Sequence, residues 1–371
     1  MLSRQHGGRG IYYAESRRAA ILPTVEDVLE ALSKVKDPEL GKDLVSLKMV
    51  EGVSVDGGRV SFTLNLTTPA CPLRERLEGA ARGAVESIAG VTDVEMKTGS
   101  VVYASRDPHQ TEVLKGVKNV IAVASGKGGV GKSTISVNLA AALAASGAKV
   151  GILDADVYVP NIPHMMGVEG TPEVRDDLIV PPLAHGVKVA SMGFFYREET
   201  PVIWRGPLVA GAVKQLLTQV DWADIDYLVC DLPPGTGDAA LTLAQTVPLT
   251  GIVIVTTPQE AALSIAAKSL AMFRRLDVPI LGVVENMSYF LCPKCGERSD
   301  IFSSGGGRKT AKEQEVEFLG EIPLATSVRE QSDAGVPVVV ARPKSVEAAI
   351  FRELAFKVAG IVSIVAYSKM A

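Results

Sequence analysis

The sequence predicts an α/β protein in which a parallel, doubly wound sheet is preceded by a smaller α/β domain. From residue 119 onward, short apolar runs alternate with longer helical segments, a pattern typical of strand–helix–strand units. A glycine-rich turn joins the first of these runs to a helix, and residues before 105 form a separate pattern. We therefore divide the chain into an N-terminal tail, a small domain, a linker and a large domain, at residues 1–21, 22–104, 105–118 and 119–371.

The composition indicates a globular protein with a sizeable core. The chain has 371 residues, 47% of them hydrophobic, and a formal net charge of −4, which gives no overall attraction to nucleic acid or an anionic membrane. It contains no run of about eighteen apolar residues that would span a bilayer. Its four cysteines are too few for a disulfide framework. We expect a soluble cytoplasmic protein with neither nucleic acid nor membrane as a partner.

The first residues do not form a secretory signal. Residues 1–21 contain four arginines, one glutamate and no apolar segment, and they have fewer serines than an organellar transit peptide and no clear amphipathic period. We expect a disordered tail or a start placed upstream of the true one.

The small domain begins with a helix and a hairpin. Thr24 is a predicted helix N-cap, with Asp27 three residues later. Alternating runs on either side of Asp56-Gly57-Gly58 predict two antiparallel strands. A helix over about 73–89 and a strand at Val91–Lys97 complete this domain.

Cys71 precedes the second predicted helix. A helix N-terminus favours the thiolate, which makes Cys71 a candidate reactive or metal-binding thiol. The alternative is an inert, half-buried cysteine.

The glycine-rich turn is a phosphate-binding loop. Gly126-Lys-Gly-Gly-Val-Gly-Lys-Ser133 fits G-x-x-x-x-G-K-[ST], follows an apolar run and precedes a helical segment closed by Gly147. Loop N–H groups and the helix N-terminus would face the phosphates, Lys132 would reach the β- and γ-phosphates, and the Ser133 hydroxyl would reach Mg²⁺. The pattern predicts binding of ATP or GTP. The predicted contact residues are Gly126, Lys127, Gly128, Gly129, Val130, Gly131, Lys132, Ser133 and Thr134.

Polar residues follow three later strands of the predicted sheet. Asp154 and Asp156 end the first strand, and Asp231 follows an apolar run that ends at Cys230. Asn286 follows another. Open α/β sheets bind ligands at the carboxyl ends of their strands, although aspartate and asparagine also occur there as turn residues. We expect Cys230 to belong to the core.

The remaining elements of the large domain alternate in type. The last is a helix from Ser345 to about Tyr367, packed through Val346, Ile350, Leu354, Val358 and Ile361. Further strands are predicted near 149–154, 188–192, 226–231, 251–257, 279–284 and 318–322, and further helices near 206–219, 236–246, 259–276 and 308–316.

Cys292 and Cys295 form a Cys-x-x-Cys pair. Two thiolates cannot complete a tetrahedral zinc site or a four-cysteine iron–sulfur site, and the chain has no second such pair. In a two-fold dimer the pair would meet its symmetry copy, giving four sulfurs. Zinc, an iron–sulfur cluster, a redox dithiol and chance spacing all remain open on spacing alone.

Residues 125–134, Ser-Gly-Lys-Gly-Gly-Val-Gly-Lys-Ser-Thr, resemble the deviant Walker A motif of the MinD/Mrp/nitrogenase-iron-protein class of dimeric ATPases. The resemblance implies that Lys127 reaches the partner's nucleotide, as an arginine finger does. It also implies that Asp156 holds the attacking water and Asp154 supports the metal shell. By the same resemblance, Asp231 would bind Mg²⁺ through water, Gly235 and Gly237 would let its loop move, and Asn286 would hydrogen-bond adenine.

Two further segments narrow the resemblance. Phe290-Leu-Cys-Pro-Lys-Cys-Gly296 and the motifs after it are similar to the Mrp/ApbC family. Residues 37–50 together with Thr68-Pro-Ala-Cys-Pro-Leu73 resemble the small domain of iron–sulfur and metal-cluster assembly proteins, in which the cysteine matching Cys71 is functional.

These resemblances imply an ATP-dependent iron–sulfur cluster carrier that hydrolyses ATP slowly. It would be a homodimer that holds a [4Fe–4S] cluster between paired Cys292 and Cys295, receives it from a scaffold or donor, and passes it to apo-proteins. One alternative is a MinD/ParA-like positioning ATPase with structural zinc at the cysteine pair. Another is an electron-donating reductase resembling the nitrogenase iron protein.

Overall fold

The structure is a computed structural model that describes residues 22–105, 114–195, 206–235 and 238–370. The predicted tail lies outside the described residues, as does most of the predicted linker. The described residues form two compact units. The small unit comprises 22–37, Lys42–Leu64 and Glu75–Thr98, whereas the large unit comprises Pro38–Gly41, Asn65–Arg74 and the described residues from Gly99 onward.

The small unit is built on a three-stranded sheet in the order β1-β2-β3. The predicted capping box is present, since the amide of Asp27 donates to Thr24 Oγ1 at 3.2 Å and the amide of Thr24 donates to Asp27 Oδ2 at 2.9 Å. The predicted hairpin is also present, with Gly57 at φ +60° in its turn. The elements are α1 (Val25–Leu32), β1 (Val50–Asp56), β2 (Arg59–Leu66), α2 (Arg74–Glu86) and β3 (Asp93–Ser100).

The large unit contains the predicted doubly wound sheet. Its eight strands are ordered β15-β12-β11-β4-β10-β5-β9-β8, and all neighbours are parallel except the antiparallel edge strand β8. The strands are β4 (Val117–Ser125), β5 (Val150–Asp154), β6 (Val174–Arg175), β7 (Leu178–Ile179), β8 (Leu183–Ala184), β9 (Val187–Ser191), β10 (Ile225–Asp231), β11 (Gly251–Thr256), β12 (Ile280–Glu285), β13 (Phe290–Leu291), β14 (Arg298–Ser299) and β15 (Phe318–Glu321).

Helices cover both faces of this sheet. Most were predicted, but α4, α9, α10 and the two-residue strands were missed because such short or polar segments show no hydrophobic period. The helices are α3 (Lys132–Ala145), α4 (Ile162–Met165), α5 (Gly206–Gln219), α6 (Asp238–Thr246), α7 (Glu260–Arg275), α8 (Gly306–Glu313), α9 (Thr326–Asp333), α10 (Val338–Ala341) and α11 (Val346–Met370).

The central strand β4 shows why its sequence is apolar throughout. Ile121 and Val123 face a core shared with α3 and α11, whereas Val120, Ala122 and Ala124 face a core shared with α5 and α7. Successive strand residues point to opposite faces, and both faces of this sheet are covered by helices. Polar side chains are therefore concentrated at the strand ends.

One hydroxyl pair ties the segment Asn65–Arg74 to the middle of the large unit. The Tyr227 hydroxyl, on β10, donates to Thr68 Oγ1 at 2.8 Å, and both side chains are buried. Ala70 of the same segment belongs to the core beneath α3 and α11. The segment is therefore part of the large unit's interior.

Helix α11 packs on the domain as predicted, but through a face that differs in part from the expected one. Leu354 and Val358 are buried, whereas Val346 is 60% exposed. Phe351 is fully buried instead, together with small residues such as Ala348 and Ala355. The helix is apolar at most positions, so the pattern alone did not define its buried face. No helix in the described parts of the chain is long and apolar enough to cross a bilayer.

Replacing Phe351 by alanine tests this packing. We expect Phe351→Ala to lower the free energy of unfolding by about 3–5 kcal/mol, because it opens a cavity in the core. Val346→Ala, at the exposed end of the same helix, should change it by less than about 0.5 kcal/mol. Urea unfolding followed by circular dichroism measures both, and equal effects would contradict the observed face.

Candidate functional site

The phosphate loop lies between β4 and α3, as its motif requires. Gly129 and Gly131 have φ of +77° and +83°, a backbone conformation that favours glycine. Asn286 Nδ2 donates to the Val130 carbonyl at 2.8 Å. A Cβ on Gly131 would lie only 2.1 Å from that Nδ2 atom, so Asn286 packs directly against the loop backbone.

A buried lysine and aspartate lie beneath the loop. Lys132 Nζ donates to Asp231 Oδ2 at 2.6 Å, and their side chains are 7% and 1% exposed. The hydroxyls of Ser133 and Ser136 lie 2.6 Å from Asp231 Oδ2 and Oδ1, respectively. A buried carboxylate needs such partners to offset its desolvation. The sequence motif did not identify Ser136, although it lies one helical turn after Ser133.

Register explains how the aspartates meet. Asp231 of β10 pairs with Asp154 of β5, and both lie at the carboxyl edge of the sheet. Asp154 Oδ2 accepts from Ser191 Oγ at 3.0 Å and from the Ile162 amide at 3.2 Å. Burial raises the pKa of Asp154 to about 8, and the negative charge of Asp231 contributes to this rise.

Asp156 lies further out than Asp154. Burial also raises the pKa of the Asp156 carboxyl above its ordinary value, and its Oδ1 accepts from the Val159 amide at 3.4 Å. Asp156 lines an open cleft above the phosphate loop, whereas Asp154 and Asp231 lie beneath it, at about 1% exposure. Asp156 is thus the carboxyl placed to contact a ligand directly.

This cleft, of about 520 Å³, brings most of the predicted nucleotide residues together. Gly128, Gly129, Gly131, Lys132, Ser133 and Thr134 line it together with Asp156 and Asn286. Several residues of the opposite wall were not predicted as site residues. They follow β12 and β15 at the same sheet edge, a position that could have identified them. They are Met287, Pro323, Leu324, Ala325, Val328 and Arg329.

Lys127 and Gly235, both predicted from the resemblance, do not themselves line the cleft. Lys127 Nζ donates to Gln259 Oε1 at 3.1 Å, and Lys127 is not among the residues that line the cleft. Its action on a partner's nucleotide stays a prediction. The Gly235 amide donates to the Ser125 carbonyl at 2.8 Å, whereas Gly237 lies outside the described residues.

The Cys-x-x-Cys pair lies on a small hairpin formed by β13 and β14. The Cys292 amide donates to the Glu297 carbonyl at 2.9 Å, and the Gly296 amide donates to the Cys292 carbonyl at 2.8 Å. Cys292 is half-buried and Cys295 is exposed. The backbone N–H groups of Cys295 and Lys294 lower the pKa of the Cys292 thiol, which favours the metal-binding thiolate.

The hairpin provides two thiols and no further ligand. Among the described residues, no three His, Cys, Asp or Glu side chains are grouped so that they could hold a metal ion. A four-ligand site at Cys292 and Cys295 therefore needs ligands from outside the described residues, such as those of a second protomer.

The other two cysteines are buried. Cys71 is 9% exposed and lies three residues before α2 begins, where its carbonyl accepts from the Arg74 amide at 3.4 Å. Its predicted reactivity stays a prediction. Cys230 is fully buried in β10, as expected, and burial raises the pKa of its thiol far above the ordinary value.

Two family models match the chain. Residues 116–359 match a ParA model described as NUBPL iron-transfer P-loop NTPase, and residues 25–96 match a model described as iron-sulfur cluster assembly protein.

Similar proteins span most of the chain. The iron-sulfur cluster carrier protein of Synechocystis sp. is 48% identical over 349 residues, which cover 92% of this chain and 99% of that protein. The iron-sulfur cluster transfer protein NUBPL of Mus musculus is 45% identical over 315 residues, 84% of this chain and 95% of that one. Among solved structures, a nucleotide-binding protein from Archaeoglobus fulgidus in complex with ADP is 42% identical, with a TM-score of 0.54, and the match covers 61% of this chain and 89% of that one.

The raised pKa of Asp154 predicts a pH dependence of stability. Between about pH 4 and pH 8 the folded protein retains a proton that the unfolded chain has lost, so stability falls as pH rises through this range. Asp154→Asn removes this titration. We expect its free energy of unfolding, relative to the unmodified protein, to rise by up to about 1.4 kcal/mol per pH unit.

Urea unfolding of nucleotide-free protein at pH values between about 5 and 7 measures this difference. Asp176→Asn, at an exposed position, is the matched control and should show no such trend. A stability difference that stays constant with pH in Asp154→Asn would contradict the raised pKa.

The lowered pKa of Cys292 predicts early alkylation. In metal-free protein carrying Cys295→Ser, we expect iodoacetamide to label Cys292 with a pH midpoint below about 8.5, the ordinary thiol value. Mass spectrometry of the labelled peptide measures the midpoint. The same protein unfolded in urea is the control and should titrate normally, and equal midpoints in the two states would contradict the role of the backbone donors.

Proposed function

We propose, from the premise that this chain belongs to the family of NUBPL iron-transfer P-loop NTPases, that it is an ATP-dependent iron–sulfur cluster carrier. One observation supports this most strongly. A cysteine pair, half-buried at Cys292 and exposed at Cys295, lies on a hairpin beside a nucleotide cleft, and backbone N–H groups there favour the Cys292 thiolate. Relatives that carry the name of cluster carriers extend over nearly the whole chain, which favours this function over a positioning ATPase.

The nucleotide residues are arranged for Mg²⁺–ATP. Lys132 would exchange Asp231 for phosphate oxygens, since a triphosphate in the loop competes for the same ammonium. Asp231 and Ser133 would then hold Mg²⁺, which neutralises phosphate charge when bound. In this proposal Asp154 would support this shell from below, Asn286 would contact the adenine, and Asp156 would orient the attacking water.

Hydrolysis in this proposal needs a second protomer. Lys127 of one protomer would approach the nucleotide of its partner and stabilise charge on the transferring phosphoryl group. In a single chain, Lys127 Nζ donates to Gln259 Oε1, and Lys127 does not line the cleft. We therefore expect ATP hydrolysis to be slow, because each nucleotide needs Lys127 from the partner protomer.

The cargo in this proposal is a [4Fe–4S] cluster shared between two protomers. Each protomer offers Cys292 and Cys295, and a two-fold axis beside the hairpin would bring four sulfurs together. Exposure of the hairpin suits a cluster that is received from a donor and passed to apo-proteins.

The N-terminal part contains a further thiol, that of Cys71. We propose that residues 22–104 form an assembly-type domain joined through 105–118 to the ATPase domain at 119–371, and that Cys71 assists transfer in the cytoplasm. Buried Cys71 would need local opening to do so.

Metal analysis of anaerobically purified and reconstituted protein tests the carrier proposal. We expect about four iron and four sulfide per dimer with a broad visible absorption band, and loss of both in Cys292→Ala/Cys295→Ala. Lys294→Ala, between the two cysteines, is the matched control and should retain the cluster. Iron content unchanged in the double variant, or stoichiometric zinc in place of iron, would contradict the proposal.

A further inference from the structure

The loop that carries the cysteine pair begins and ends on one buried carboxylate, that of Glu285. Glu285 is the last residue of β12 and is fully buried. Its Oε1 accepts from Ser288 Oγ at 2.6 Å and from the Gly305 amide at 2.9 Å. Its Oε2 accepts from the Gly307 amide. Ser288 starts the cysteine loop, and the two glycines end it at the first turn of α8.

The residues that follow Glu285 form a wall of the nucleotide cleft. Asn286 donates from its side chain to the Val130 carbonyl of the phosphate loop, and its backbone N–H donates to the Thr256 carbonyl at 2.8 Å. Met287 lines the cleft with φ +54°, a conformation that is strained for this residue type. Such strain is commonly found at switch regions.

A second strand end connects the cleft to the cysteine loop. The Leu324 amide donates to the Tyr289 carbonyl at 2.7 Å, and Phe290 pairs with Leu324 as a parallel bridge. Leu324 lines the nucleotide cleft and also a neighbouring cleft of about 440 Å³ that includes Cys292. The segment around Leu324 thus forms a wall between the nucleotide cleft and the cleft that includes Cys292.

We propose that Glu285 is a positioning residue that couples nucleotide binding to the geometry of the Cys292/Cys295 loop. A nucleotide that moves the phosphate loop would move Asn286, because Asn286 Nδ2 is hydrogen-bonded to the Val130 carbonyl of that loop at 2.8 Å and fills the space that a Cβ on Gly131 would need. That movement reaches Glu285 through one peptide bond. Glu285 transmits it to both ends of the cysteine loop at once, so the loop moves as a unit.

The energetics of burial favour a carboxylate that holds both ends of the cysteine loop. A fully buried carboxylate is costly unless it is hydrogen-bonded, and Glu285 has three donors, all from the two ends of one loop. The substitution Glu285→Gln would keep the side-chain volume but remove the charge and one acceptor oxygen. By thermodynamic reciprocity, whatever binds the thiols would also alter nucleotide affinity. The idea rests on the proposed function only in taking the cysteine pair as the cargo site.

Hydrogen exchange on metal-free, full-length protein tests the coupling, with and without Mg²⁺ and ATPγS. The amides of Cys292 and Gly296 close the hairpin, so their exchange reports its geometry. We expect the nucleotide to change their exchange rates by about five-fold, the lower end of usual coupling between linked sites. In Glu285→Gln this nucleotide response should vanish while ATPγS affinity stays within about two-fold.

Glu313→Gln, an exposed residue of α8 with the same charge change, is the matched control and should respond like the unmodified protein. A Glu285 with a merely structural role would leave the nucleotide response intact in Glu285→Gln, and that result overturns the proposal. So does a cysteine loop that ignores nucleotide in the unmodified protein.

Should Glu285→Gln fail to fold, Ser288→Ala removes one of the three contacts and is expected to reduce the response in part, whereas a full response would overturn the proposal. The exchange experiment uses metal-free protein, so its result can be interpreted even if the iron analysis contradicts the carrier proposal.

Discussion

The buried ion pair between Lys132 and Asp231 determines the character of the nucleotide site. Neither charge is stable alone at this depth, since removing one partner of a buried pair leaves the other uncompensated. The aspartate has two hydroxyl donors as well as the lysine. Its charge also acts on Asp154 of the neighbouring strand β5, where it adds to the effect of burial and keeps that carboxyl protonated at neutral pH. Interactions among residues at the strand ends thus set the charge of each group in the site before any ligand binds.

The sheet explains why these groups are found where they are. Helices cover both faces, so the strands contain apolar side chains along most of their length. Polar side chains are therefore found mainly at the edge of the sheet where the parallel strands end. The phosphate loop, the two aspartates and the Glu285–Asn286 pair all lie at that edge, and the cysteine hairpin extends from it.

Much of this arrangement could be predicted from the sequence. The phosphate loop has a fixed spacing, and the strands that end in Asp154 and Asp231 are continuous apolar runs. These patterns predicted the order and the type of the elements around the site. The far wall of the cleft was missed, because residues such as Arg329 belong to no motif and reach the site only through the order of the strands. Glu285 was missed for another reason. Its partners, Ser288, Gly305 and Gly307, are distributed over the loop that it closes, and only tertiary structure shows that they converge. The buried face of α11 was partly misassigned because nearly all of its faces are apolar.

The hydroxyl pair of Tyr227 and Thr68 has a consequence for how this chain can be divided. The segment that holds Thr68 and Ala70 lies inside the large unit, although the helix and hairpin before it belong to the small one. A shortened ATPase that begins after residue 104 would leave a buried phenol without its acceptor and an apolar gap beside α3. An exchange of the N-terminal part between relatives must therefore leave Asn65–Arg74 with the sheet of the large unit. For protein engineering, the boundary between the two units crosses the chain at several points and cannot be reduced to a single cut.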